Sequence, residues 1–217
     1  MNGRAAALGN GRLEAKLKPE LLIFTFRSDS FELTSLVSRN EASGAVVRTI
    51  VLPPEHDVAL LKAIEAVDRQ LPDAVFVVGR TGGASQAGDE SGLRVVVDST
   101  AINHVFGTPA EPIDAGGPDS IAYTAPATQI GDRLAAVGMV VSPPGEPVRS
   151  LQNSLGYCLL RYVDLRGGET WFGREAPAGI SYRVGSIRIG GSAALAADAH
   201  RVIRLLAAET AIILPGA

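Results

Sequence analysis

The chain has 217 residues, of which 46% are hydrophobic and 20% charged, with a formal net charge of -3. That length suits one substantial α/β core, and the apolar content is enough to offset the ordering entropy of a globular fold, so wholesale disorder is excluded. The acidic balance offers no attraction to a phosphate backbone or an anionic membrane, and neither nucleic acid nor membrane is an expected partner. A single cysteine, Cys158, excludes an internal disulfide and a thiolate zinc site, and fits a reducing, cytoplasmic setting.

Residues 1–18 hold Gly3, Gly9 and Gly11 among alanines and scattered charges, without the apolar core of a secretory signal, and are expected to form a flexible tail before a domain spanning residues 19–217. Even the most apolar late stretch, Leu205 to Leu214, is broken by Glu209 and Thr210, so no membrane span is expected.

Glu20-Leu-Leu-Ile-Phe-Thr-Phe26 reads as a first, buried strand, and Ala45 to Val51 as a second, closed by Pro53 and Pro54, which cannot donate to a ladder. A helix follows, with Val58, Leu61, Ile64 and Val67 as its apolar stripe. Ala74-Val-Phe-Val-Val78 is apolar throughout, as expected of a central strand covered on both faces. It runs into a glycine-rich turn, Gly79-Arg-Thr-Gly-Gly83, at the carboxyl end of a strand, where ligands of open α/β sheets bind.

Leu93 to Val97 is a further strand, and Phe106 to Asp119, rich in Gly and Pro, an irregular loop. Helix is expected from near Pro126 to Gly138, strand over Met139 to Ser142, helix over Leu151 to Leu165, and strand over Ile180 to Ile189. A long closing helix, Ser192 to Leu214, has Ser192 as its cap. Alternation of this kind predicts an α/β fold with one mixed, mostly parallel sheet and helices on both faces.

Short catalytic motifs are weak. Gly79 to Gly83 lacks the Lys-Ser/Thr ending of a phosphate loop, and Gly83-Ala-Ser85-Gln-Ala-Gly88 is one residue too long for a nucleophile elbow. The three histidines, His56, His104 and His200, lie far apart without metal-ligand spacing. Neither a metal nor a cofactor is called for. Trp171 and Tyr182 are read as packing before groove lining.

Four stretches in order carry a resemblance: Val77-Val-Gly-Arg-Thr-Gly-Gly83 followed by Asp98-Ser-Thr-Ala-Ile-Asn103, then Gly116-Gly-Pro118, Asn153-Ser-Leu-Gly156, and Gly185-Ser-Ile-Arg-Ile189. In this order the chain resembles pyroglutamyl peptidase I, also called pyrrolidone-carboxylate peptidase, a cytoplasmic cysteine peptidase that removes amino-terminal pyroglutamate. The family's early Thr-Gly-Phe-x-Pro-Phe-Gly loop is represented by Phe24 to Ser30, with Phe26 kept. The resemblance implies a hydrolase-like frame, a small molecule or peptide amino terminus as ligand, and homo-oligomeric assembly.

It also implies where the catalytic groups should fall. The family's glutamate maps to Asp98 and its histidine to Arg188; its cysteine, four residues after the glycine, maps to Leu160. A guanidinium has five donors and no acceptor and cannot act as a base, and leucine has no nucleophile. The expected protein is a non-peptidase homologue with a modified pocket formed by Phe26, Gly79, Gly82, Gly83, Asp98 and Arg188. An active cysteine peptidase is the alternative, using Cys158 with His104 or His200 as base. A phosphorylase- or nucleosidase-like enzyme, with phosphate at Gly79 to Gly83, rests on fold analogy alone. A two-residue offset turns a helical side chain by about 200°, so Cys158 is expected to face away from the family's site and into the core.

Overall fold

The computed structural model describes residues 19–27, 45–80, 94–105, 111–143, 150–164, 170–171, 174–175, 182–190, 202–206 and 208. Expectations for the first 18 residues, for Gly82, Gly83, Ser85 and His200, and for the Ser192 cap fall outside them.

Strands β1 (Glu20–Phe26), β2 (Val46–Leu52), β3 (Ala74–Arg80), β4 (Arg94–Asp98), β7 (Val140–Ser142) and β10 (Arg183–Gly190) form one sheet in the order β2-β1-β3-β10-β4-β7. All neighbours run parallel except β10 and β4, which run antiparallel, giving the mixed, mostly parallel sheet the alternation predicts. The apolar run beginning at Ala74 lies inside the sheet, between β1 and β10. Two small pairs stand apart: β5 (Thr100–Ile102) with β6 (Ser120–Ala122), and β8 (Thr170–Trp171) with β9 (Arg174–Glu175).

Side-chain alternation along the strands divides the core in two. On one face Leu22, Phe24, Phe26, Val75, Val77 and Val184 pack under α1 (His56–Gln70) and α3 (Leu151–Asp164). On the other, Leu21, Ile23, Phe76, Val95, Val97 and Ile187 pack under α2 (Ala127–Ala136) and the helical residues 202–206.

The expected α1 stripe is partly corrected. Ile64 and Val67 are buried, but Val58 and Leu61 are 44% and 40% exposed, and the buried set is Ala59, Leu60, Ala63, Ile64, Ala66 and Val67. A strict three-residue spacing drifts by about 60° per step against a 3.6-residue turn, which keeps Val67 on the buried face in one direction but carries Leu61 and then Val58 off it in the other. The hairpin of β5 and β6 is a second departure, since three-residue strands flanking a loop carry little periodic signal.

α3 is held on several sides, which explains why Gln152 through Leu160 are all buried. Asn153 uses both ends of its amide on the backbone of Ile102, donating at 3.0 Å and accepting at 2.9 Å. Ser154 donates to the carbonyl of His104 at 3.0 Å, and Tyr157 donates to that of Pro118 at 2.9 Å. Arg161 pairs with Asp114 at 2.8 Å, and Tyr162 donates to Asp68 of α1 at 2.8 Å. The Gly116-Gly-Pro118 stretch is therefore part of a strap bound to the middle of this helix.

Candidate functional site

Asp98 ends β4, and Arg188 lies near the carboxyl end of β10, on the face covered by α3. The register sets Ser186 opposite Asp98 and Arg188 opposite Gly79 of β3, so strand pairing alone gathers these groups. Arg188 Nη2 and Nε donate to Asp98 Oδ1 at 2.6 and 2.9 Å, and Nε reaches Oδ2 at 3.2 Å. Ser186 Oγ donates to Asp98 Oδ2 at 2.7 Å. Side-chain exposures of 11% for Arg188 and 15% for Asp98 make this an enclosed, bidentate charge pair.

Two further residues complete the cluster, and sequence reasoning missed both. Gln152, in the first turn of α3, points its amide nitrogen at Ser186 Oγ (2.8 Å), the carbonyl of Ile187 (2.9 Å) and that of Val77 (3.0 Å). Backbone carbonyls only accept, which fixes the orientation of the amide. Tyr123, directly after β6, is buried with its hydroxyl proton held more tightly than usual. Burial is the main cause, a hydrogen bond with Ser186 and the Arg188 charge oppose it, and the Asp98 charge adds to it. Polar Gln152 in line with Leu155, Leu159 and Tyr162 on the helix is a signal that could have found it, because a buried amide demands partners.

Asp98, Arg188 and Gly79 are thus brought together. Phe26 ends β1, buried at 2% exposure on the same sheet face, two residues beyond the pairing of Phe24 with Val77. Leu160 is not brought to the pair. It is 4% exposed within the apolar cluster under α1 and α3, and eight residues separate it from Gln152, about 12 Å along a helix axis.

Cys158 is fully buried in that same cluster. Desolvation pushes its thiol well above the ordinary range, and the Asp57 and Asp114 carboxylates push it further. A thiol in that state is a small hydrophobe without appreciable thiolate. Iodoacetamide is expected to leave Cys158 unlabelled in the native protein and to modify it once denaturant is added; rapid native labelling would contradict the placement. Of the other groups weighed, His56 hydrogen-bonds Asp57 at 3.0 Å, Tyr182 donates to the Leu159 carbonyl at 3.3 Å, and no metal-binding cluster is found among the described residues. No described helix is long and apolar enough to cross a membrane.

No family model matches the chain. Pyrrolidone-carboxylate peptidase 1 of Caldanaerobacter subterraneus subsp. tengcongensis is 25% identical over 126 residues, which span 58% of this chain and 62% of that protein. Among solved structures, pyroglutamyl peptidase I from Bacillus amyloliquefaciens superposes with a TM-score of 0.71 at 17% identity, covering 90% of this chain and 98% of its own. The pyrrolidone carboxyl peptidase of Thermococcus litoralis gives 0.69 at 17% identity, covering 90% and 94%. The chain therefore resembles pyroglutamyl peptidase I in sequence over part of its length and shares its α/β fold over most of it.

Proposed function

We propose that this protein is a non-hydrolysing relative of pyroglutamyl peptidase I that binds a small polar ligand, such as a peptide amino terminus or a small carboxylate, beside Asp98 and Arg188. The observation that carries the reading is the bidentate pair itself. It occupies the positions that the resemblance gives to the family's catalytic glutamate and histidine. Cysteine-peptidase chemistry needs a thiolate and a neighbour able to take its proton. Arg188 has no acceptor to offer, and both guanidinium nitrogens that face Asp98 are already engaged. The third nitrogen, Nη1, makes no hydrogen bond among the described residues, which leaves a donor for a ligand oxygen.

The reading with Cys158 as nucleophile is disfavoured by burial and by the raised thiol proton affinity. The test is incubation of the full chain with a fluorogenic pyroglutamyl amide. No release above the protein-free rate is expected, and a release abolished by Cys158→Ala would overturn the proposal.

A further inference from the structure

The lone pairs of the Asp98 carboxylate are already taken. Oδ1 accepts from Arg188 Nη2 at 2.6 Å and from Nε at 2.9 Å, while Oδ2 accepts from Ser186 Oγ at 2.7 Å and from Nε at 3.2 Å. An ionised carboxylate offers about four lone-pair sites, so these contacts fill it. Buried Ser186 has one proton to give and cannot spend it on Gln152, because the amide nitrogen 2.8 Å away is itself a donor. Arg188 Nη1 is the opposite case. It has no partner among the described residues and is not one of their fully buried unpartnered polar atoms, so its donors remain open to a ligand. We infer that the site reads a ligand by its oxygen: it takes a small carboxylate on Arg188 Nη1 and rejects an ammonium, and Ser186 sets this preference by occupying Asp98 Oδ2. The inference rests on the binding reading above and narrows it, setting aside a peptide amino terminus as ligand.

Strand register delivers the Ser186 hydroxyl, since Ser186 pairs directly with Asp98 between β10 and β4. Gln152 holds it from the other side, and is itself tied to the carbonyls of Val77 and Ile187. The donors therefore run one way, from Gln152 to Ser186 to Asp98, and cannot reverse, because neither an amide nitrogen nor a guanidinium accepts. A ligand ammonium would have to displace one of these donors and leave it stranded in an enclosed site, whereas a carboxylate has only to meet the open Nη1. The charges of Asp98 and Arg188 offset each other, so the placement of donors, and not net charge, decides between the two ligands.

The test titrates the full, 15N-labelled chain with sodium acetate and, separately, with methylammonium chloride, each against sodium chloride at equal ionic strength. The readout is the Nε–Hε NMR signal of Arg188, assigned by its absence in the double variant Asp98→Leu with Arg188→Met. Acetate is expected to shift this signal saturably, and methylammonium to leave it in place. A methylammonium shift as large as that of acetate, or no shift with acetate, would overturn the inference. Ser186→Ala should weaken the acetate response on the order of tenfold by releasing the carboxylate to turn, and Ser186→Thr, which keeps the hydroxyl, should preserve it. An unchanged acetate response in folded Ser186→Ala would remove Ser186 from the account. If Ser186→Ala does not fold, the two ions on the wild-type chain still decide which ligand atom is read. These titrations follow binding alone, so their failure is distinct from turnover of a pyroglutamyl amide, which would instead sink the non-hydrolysing reading.

Discussion

Replacing Asp98 by alanine is expected to lower the free energy of unfolding by about 3 to 5 kcal/mol, because it leaves the Arg188 guanidinium enclosed without its counter-charge. The magnitude follows from the enclosure. An exposed pair contributes about 0 to 1 kcal/mol, but Arg188 and Asp98 keep only 11% and 15% of their side-chain surface. Ser186 loses its acceptor as well, and Gln152 is bonded to Ser186, so the damage reaches the first turn of α3. Removing both charges together, as Asp98→Leu with Arg188→Met, is expected to cost far less than Asp98→Ala alone, since no buried charge is stranded. Urea unfolding of the three variants measures the difference. A loss below about 1 kcal/mol for Asp98→Ala would mean that water reaches the pair freely and that the site is not enclosed.

Gly156→Ala is expected to destabilise the protein by about 1 to 3 kcal/mol, against the intrinsic preference of a helix for alanine over glycine of about 1 kcal/mol. A β-carbon there would overlap the Tyr123 hydroxyl, with Cζ at 2.9 Å and Cε1 at 3.0 Å. Tyr123 cannot swing aside without cost, because its side chain is buried in the cluster packed under α3. Tyr123→Phe should restore only part of the loss, since the ring carbons still crowd the new methyl. Thermal or denaturant melts decide the matter: a gain in stability for Gly156→Ala would show that the helix is not pressed against Tyr123. The prediction links a feature at the middle of α3 to the polar site, since the same tyrosine touches both.

The fold was largely legible because its signals are local and periodic. Continuous apolar strands such as Ala74 to Val78, prolines that end β2, and alternation of strand with helix lead directly to a sheet covered on both faces. The positions of Asp98 and Arg188 were legible for a different reason: each lies in a strand with its own motif, and strand register leaves little freedom in where a side chain falls. α3 was harder. Its Asn153-Ser-Leu-Gly156 stretch suggested a register ending at Leu160, but these residues serve the helix's docking: Asn153 and Ser154 bond the segment after β5, and Gly156 admits Tyr123. Nothing in a helical repeat states which turn meets a polar partner from another strand, so Gln152 emerged only from the packing. Tyr123 was hidden likewise, in the turn after a three-residue strand.

We propose that the Asp98–Arg188 pair makes this a site that binds and does not cleave. Proton NMR of the full chain mixed with a pyroglutamyl dipeptide tests both halves at once. Binding should transfer saturation from the protein to the dipeptide, weakened in Arg188→Met, while the dipeptide signals persist at full intensity. Protein-dependent accumulation of free pyroglutamate, lost on Arg188→Met or Cys158→Ala, would contradict it.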